Sequence, residues 1–545
     1  MYRVFVNVVL CSISLTTVAA AQQLTHSWSG TFVEGFGVSA SSAGDLDGDG
    51  LPDILVGSDG SFVGPHRYAN AYSGSTGALL WQHTFESLSN GLIAVGAAGD
   101  VNADGFDDVI LGAFAVDGFG LGRARLVSGV DGSTMYEYSS QSPYDGLGWS
   151  VCGAGDLNGD GLPEYAVGCV DRFNQQFPPK YDRVKMYLGI NGRLYNEQIG
   201  ETLKDRFGFS IASAGDVNND GSPDLIAGAP QFGFGEGFAR VLLSGVFLGH
   251  RFTGLIPPTK DFGWAVGTPG DYNHDGYSDL IVGAPSSNLQ NEGYVYLFNG
   301  ATGLSLGHIT SGAANAHVGN SVYGLGDPNL DGWADFGIAG SSEIALFSGP
   351  GGVALLWPSI IISELGNPNY GAVSSNVGDG DGDGVPEIVL RKWFQPAPST
   401  VDVVSLLPKG TQLYGTSTPN CRGPKLLLPR TQPVQGNGLF KFASNGIVPM
   451  QRAVVLVSST PDLLGSDAFG VGLLVYIDIN ALVMSVPLVP GLPGYGTASF
   501  PIPNEASLVG MSFYAQGFYL AKQTCQVSPQ GLGASNAVAI TIQPL

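Results

Sequence analysis

Apolar and polar positions along this chain fall into many short runs rather than long amphipathic stretches. Asp53-Ile-Leu-Val, Asp108-Val-Ile-Leu, Asp224-Leu-Ile-Ala and Asp279-Leu-Ile-Val are continuous apolar segments, each entered by a carboxylate and closed by a glycine. Runs of that length, bounded by turn residues, read as strands. A further strand ending in a turn follows each, as in Ala71-Tyr-Ser-Gly-Ser-Thr-Gly77, Leu126-Val-Ser-Gly-Val-Asp-Gly132 and Tyr296-Leu-Phe-Asn-Gly-Ala-Thr-Gly303. A short fourth strand comes next, such as Ala78-Leu-Leu-Trp81 or Gly303-Leu-Ser-Leu306. Four strands in about 55 residues make one propeller blade. A lone blade cannot bury both faces, so the blades must pack in a ring. The expected fold is all-β, a seven-bladed β-propeller with calcium-binding hairpin loops followed by a β-sandwich-like C-terminal domain.

The number seven comes from an internal repeat, Gly-Asp-x-[Asp/Asn]-x-Asp-Gly-x-x-[Asp/Glu], which enters each apolar run. Its first aspartates are spaced by 55, 56, 60, 55, 56 and 52 residues, and the oxygen-bearing positions one, three, five and nine keep strict register. They are Asp45, Asp47, Asp49 and Asp53; Asp100, Asn102, Asp104 and Asp108; Asp156, Asn158, Asp160 and Glu164; and Asp216, Asn218, Asp220 and Asp224. The last three sets are Asp271, Asn273, Asp275 and Asp279; Asp327, Asn329, Asp331 and Asp335; and Asp379, Asp381, Asp383 and Glu387. These positions hold 23 of the 46 acidic residues, so half of the negative charge sits in seven nine-residue loops.

Carboxylates held a few ångströms apart repel by roughly 4 kcal/mol per pair at an intermediate dielectric. A hard divalent cation offsets that cost, and Ca²⁺ tolerates the geometry of a flexible all-oxygen loop better than Mg²⁺. The glycine at position six permits the sharp turn. The carbonyl at position seven (Leu51, Phe106, Leu162, Ser222, Tyr277, Trp333 or Val385) completes the set. Up to seven Ca²⁺ ions are expected. Asp-Gly and Asn-Gly runs also make ordinary turns, but not seven times in register. An EF-hand is excluded because it needs a bidentate Glu at position twelve between helices. Position twelve here is Val56, Leu111, Val167, Ala227, Val282, Ile338 and Leu390, all apolar.

Nine residues before each first aspartate stands a second signature: Phe36-Gly37, Leu147-Gly148, Phe207-Gly208, Phe262-Gly263, Val318-Gly319 and Tyr370-Gly371, with copy two departing as Gly91-Leu92. After each hairpin comes Gly57, Gly112, Gly168, Gly228-Ala229-Pro230 or Gly283-Ala284-Pro285, weakening to Ala339 and Arg391. With these residues the chain resembles the FG-GAP repeat family, the unit of the integrin α-subunit head propeller, over about residues 24 to 407. The resemblance implies an extracellular binding or adhesion protein of secreted bacterial type. Leu24-Thr-His-Ser-Trp28 has the look of a fourth strand without a blade of its own, and is expected to complete the blade of Asp379 to Leu406.

Composition refines this picture. Arg3, the apolar stretch Val4 to Val18 and Ala19-Ala-Ala21 read as a signal peptide over 1–21, so export to the exterior or cell surface is expected. The propeller then spans 22–407, a linker 408–420 and a β-rich domain 421–545. No later segment is long and apolar enough to span a bilayer. A formal charge of −23 repels nucleic acid and anionic membranes. Cys421 and Cys525 bracket the last domain, while Cys152 and Cys169 flank the third loop; each pair is read either as a disulfide or as two free thiols.

Catalytic signatures are thin: there is no His-Glu-x-x-His or Walker loop, and His26, His66, His83, His250, His274, His308 and His317 are scattered. No enzyme is expected. The alternative is a polysaccharide lyase or hydrolase on a propeller scaffold, which would need acids converging on the axial channel, where Val38 to Ala43 and Ile211 to Ala214 carry none. A purely structural spacer is the third reading. The expected partner is an extracellular protein or glycan, bound on the face away from the metal loops. There the longest insertion, Asp171 to Tyr181, presents Phe173, Phe177 and Tyr181, either as aromatic anchors or folded back on the blade.

Overall fold

The computed structural model describes residues 7–9, 23–30, 35–59, 67–85, 93–114, 121–142, 145–171, 181–231, 236–255, 260–287, 290–310, 314–328, 333–341, 344–347, 349, 370–382, 385–392 and 399–405. Beyond 405 it describes the strands between 411 and 542 with a few flanking residues. The chain is all-β, and its described strands from Gln23 to Ser405 form a seven-bladed propeller.

Each blade is an antiparallel meander read outward from the axis. The inner strands are Phe36–Gly44, Ile93–Gly99, Leu147–Gly155, Ser210–Gly215, Ala265–Gly270, Ser321–Gly326 and Tyr370–Gly378. The second strands are Asp53–Ser58, Asp108–Ala113, Glu164–Cys169, Asp224–Ala229, Asp279–Ala284, Asp335–Ala339 and Glu387–Lys392. In all seven hairpins the glycine before position one pairs with the acid at position nine, from Gly44 with Asp53 to Gly378 with Glu387, with a register irregularity beside the pair. The repeat is thus the connection between first and second strands, as the sequence predicts.

In blades one to six the second strands are buried from end to end, because each is central in its sheet and covered by the neighbouring blade on both faces. That explains their unbroken apolar composition: Leu55, Val56, Ile110, Leu111, Ile226 and Val282 are fully buried, each stabilising the ring by roughly 1.5–3 kcal/mol. The closing glycine is a close-approach position: a Cβ on Gly228 would lie 2.0 Å from the carbonyl oxygen of Gly263 in the next blade. The Phe-Gly signature and the Gly after the run are therefore two halves of one inter-blade contact.

Side chains of the inner strands stitch neighbours around the channel. Ser39 Oγ donates to Ile93 O (2.5 Å), Ser150 Oγ to Gly208 O (2.7 Å), Ser210 Oγ to Gly263 O (2.9 Å) and Ser375 Oγ to Ala40 O (3.1 Å). At the outer edge a second belt joins the fourth strands of blades one to three to a turn of the next blade. Trp81 Nε1 donates to Gly129 O (2.6 Å), Tyr138 Oη to Gly192 O (2.7 Å) and Asn196 Nδ2 to Gly245 O (2.8 Å).

Closure follows the expected route. Gln23–Gly30 pairs antiparallel with Ser399–Ser405, so the N-terminal strand is the outer strand of blade seven. Trp28 from this strand stacks on Tyr72 of blade one at 4.2 Å and donates from Nε1 to Gly77 O at 3.0 Å. Asn7–Val9, inside the expected signal segment, runs parallel to His308–Thr310 at the outer edge of blade five.

Cys152 and Cys169 are free, and the register explains why. Cys152 pairs with Ala166 and Cys169 with Leu147. Their side chains join different clusters, Cys152 between blades three and four and Cys169 between blades two and three, on opposite faces of one sheet. Cys421 and Cys525 lie outside the described residues.

After the propeller, a five-stranded sheet runs Thr411–Tyr414, Leu532–Thr541, Ser512–Leu520, Ala453–Ser458 and Leu482–Pro487. A four-stranded sheet runs Leu427–Pro429, Lys441–Ile447, Gly494–Ser499 and Val489–Pro490, and Pro461–Ser466 pairs with Val475–Ile477. Thr411–Tyr414 falls in the stretch expected to be a linker. It pairs with Ala537 to Ile540, so those four residues belong to the sheet.

Candidate metal centres

Loops one to five are described in full, and one plan organises them. The position-one carboxylate accepts from the glycine N–H at position six through Oδ2: Gly50, Gly105, Gly161, Gly221 and Gly276, at 2.8–2.9 Å. Position three accepts from the N–H of position five, as in Asp49 to Asp47 (3.1 Å) and Asp220 to Asn218 (2.9 Å). Position five accepts from position seven, as in Leu51 to Asp49 (2.9 Å) and Tyr277 to Asp275 (3.1 Å). Each acid thereby braces the turn while its remaining lone pairs stay available. Positions three, four, five and six are exposed in most loops, so an ion could enter from solvent.

Position six is left-handed, as expected, with Gly221 at φ 88°. Position four is left-handed as well, which the loop consensus does not reveal: Gly48, Ala103, Gly159, Asn219, His274 and Gly382 have φ between 57° and 77°. The residue types at position four share nothing obvious, although glycine in three of these six copies was a signal.

Position nine differs from the others. Asp53, Asp108, Glu164, Asp224 and Asp279 are fully buried. One Asp53 oxygen accepts from Leu46 N (2.7 Å), the other from Gly74 N (2.9 Å) in the turn after the third strand. Asp224 repeats this with Val217 N (3.1 Å) and Ser244 N (2.7 Å). Burial, reinforced by the neighbouring loop acids, pushes Asp53, Asp108 and Asp224 up to about 6 and Glu164 and Asp279 up to about 7, against the pull of those backbone N–H groups. Position nine therefore ties the loop to the rest of its blade as well as facing the other acids, a role visible only in three dimensions.

Asp45, Asp47 and Asp49 place carboxylate oxygens within 4.8 Å of one another, and so do Asp379, Asp381 and Glu387. Those are the two loops with Asp rather than Asn at position three. Among the described residues, no Lys or Arg pairs with any acid of loops one to five. Converging hard oxygen donors without a neutralising side chain fit a hard divalent cation. In loop six Asp327 and Asp335 are described and Asn329 and Asp331 are not; in loop seven Asp383 lies outside the described residues.

All seven loops emerge where inner strands end, hence on one face. The other face carries a feature that the repeat pattern alone does not announce. Phe114, Trp149, Phe209 and Trp264 form a continuous arc across blades two to five, with ring centroids 4.3, 5.1 and 5.0 Å apart. Trp149, Phe209 and Trp264 are half-buried where inner strands begin, around the channel mouth. Each follows the Phe-Gly or Leu-Gly pair of its blade, a signal present in the sequence but spread over about 55 residues per step. Phe173 and Phe177 lie outside the described residues, and Tyr181 is exposed.

Comparison with known proteins agrees with this architecture. The FG-GAP repeat family matches residues 207–242 and 262–298, and an FG-GAP-like repeat matches 45–111. Integrin alpha-V of Gallus gallus is 32% identical over 208 residues, 35% of this chain and 19% of that protein. Integrin alpha-8 of Homo sapiens is 27% identical over 285 residues, 49% and 26% of the two chains. Integrin alpha-PS2 of Drosophila melanogaster is 34% identical over 172 residues, 28% and 12%. The chain spans about a fifth of the length of the curated relatives it matches. It carries FG-GAP repeats, and its propeller is integrin α-like.

Proposed function

We propose that this chain is an exported binding or adhesion protein, its propeller rigidified by calcium in the loops on one face and its ligand held on the other. The observation that carries this reading is the division of chemistry between the faces. Half of the acidic residues are gathered in seven hairpins that also tie each blade together. Rigid aromatic surface is gathered around the opposite mouth of the channel, where Trp149, Phe209 and Trp264 supply contact area at low entropic cost. Positions one, three, five, seven and nine would hold the ion, with bound Ca²⁺ neutralising the acids and fixing the hairpin.

Integrin α relatives support the extracellular reading, as does the N-terminal segment 1–21, read as a signal peptide. The partner proposed is a protein or glycan outside the cell. In this reading residues 22–407 bind and the β-rich C-terminal domain accompanies them. All seven inner strands are free of Asp, Glu, Lys and Arg, so among the described residues these strands offer no acid pair for glycoside chemistry. The test is a protein and glycan binding screen of the full chain in millimolar Ca²⁺ and in chelator. A ligand whose binding is weakened at least tenfold by Trp149→Ala with Trp264→Ala, with an unchanged melt, places the site on the arc. Binding that survives both changes moves the site elsewhere.

A further inference from the structure

Position eight of the loop had no role in the sequence pattern: it is Pro52, Asp107, Pro163, Pro223, Ser278, Ala334 and Pro386. Asp107 is set apart by what it touches. Its backbone N–H donates to Asp45 O at 2.9 Å, and its Oδ2 accepts from Asp45 N at 2.9 Å. Asp45 is position one of loop one, while Asp107 belongs to loop two. In loop five Ser278 N donates to Asp216 O at 3.0 Å, without a matching side-chain bond. The ring of Phe106, position seven of loop two, also lies against Gly48, position four of loop one.

We infer that Asp107 couples loops one and two, so that a cation in either loop raises the affinity of the other. This rests on the calcium reading above. Asp107 stands between Phe106, whose carbonyl is the position-seven donor, and Asp108, the position-nine acid. Fixing both flanking residues on an ion fixes Asp107, which holds the backbone of Asp45 from both its N–H and its C=O. Part of the ordering cost of loop one is then met before its own ion arrives, and linkage makes the effect reciprocal. The other six loop junctions lack this two-point bond among the described residues: proline cannot donate, and Ala and Ser bring no carboxylate.

The experiment follows hydrogen exchange of the peptide spanning residues 44–52 in the full chain as Ca²⁺ is raised, which reads loop one alone. Asp104→Ala disables loop two. It is expected to raise the calcium concentration that protects loop one by about fivefold, the lower end of ordinary coupling. Asp107→Pro, which introduces the residue type that four other loops carry at this position, removes both bonds and is expected to abolish the effect of Asp104→Ala. Asp107→Ala, which introduces the residue type of loop six, keeps the N–H bond and is expected to retain part of it. An Asp104→Ala shift of equal size in the Asp107→Pro chain overturns the inference, as does no shift in the parent chain, while both leave the calcium reading standing. Exchange of loop one that ignores calcium altogether overturns both.

Discussion

Positions five and nine of one loop are both acidic, yet they do different work. Asp220 is exposed and braces only its own turn, so Asp220→Ala is expected to lower calcium stoichiometry by one, measured by calorimetry, with the metal-free melt nearly unchanged. Asp224 is buried and accepts from two backbone N–H groups that its loss would strand. Asp224→Ala should therefore also destabilise the metal-free protein, by roughly 2–4 kcal/mol in chemical denaturation. Equal effects at the two sites would remove the distinction. The same burial sets a pH dependence. Asp53, Asp108 and Asp224 are raised to about 6 and Glu164 and Asp279 to about 7, so the fold favours their protonated forms. In chelator these groups contribute stability that is fully present below about pH 4, is lost as pH climbs, and is gone above about 7. A bound cation favours the ionised forms, so the rise in melting temperature on adding Ca²⁺ should grow across that window. A calcium effect that shrinks from pH 4 to 7 would contradict this assignment.

At the scale of the element, the closing strand is the most exposed to test. Gln23–Gly30 is far from Ser399–Ser405 in sequence, and Trp28 anchors it on Tyr72. Trp28→Ala is expected to cost roughly 2–3 kcal/mol, less than a fully buried tryptophan because Trp28 is half-buried. Deleting residues 23–30 should expose blade seven to limited proteolysis while the middle blades stay protected. Protection of all seven blades after the deletion would show that the ring closes otherwise. The strands that flank loop three carry two thiols, and burial pushes both Cys152 and Cys169 up to about 12. Neither should react appreciably with a thiol reagent at pH 8 until the propeller unfolds.

For the whole molecule, the core runs from blade to blade: blades one to six share core clusters pairwise, and blade seven shares one with blade one. Cations bound to loops that tie blade to blade should act on the global transition. Stripping metal is expected to lower the melting temperature by many degrees, restored by millimolar Ca²⁺. An unchanged scanning-calorimetry transition in chelator would mean that the loops serve as turns only.

Blade number, the face that carries the acids and the closing strand were all legible in the sequence, because each rests on local spacing repeated seven times. A nine-residue loop declares its geometry through residue types a few positions apart, and the apolar run after it declares a strand. What the fold alone decided lies between blades. Position nine's grip on a turn 20 residues away, the aromatic arc assembled one ring per blade, the two-point bond from Asp107 to Asp45 and the separation of Cys152 from Cys169 by register and by face all depend on how sheets stack. Stacking is set by side chains about 55 residues apart. A linear reading sees the period but not which atoms the ring brings together.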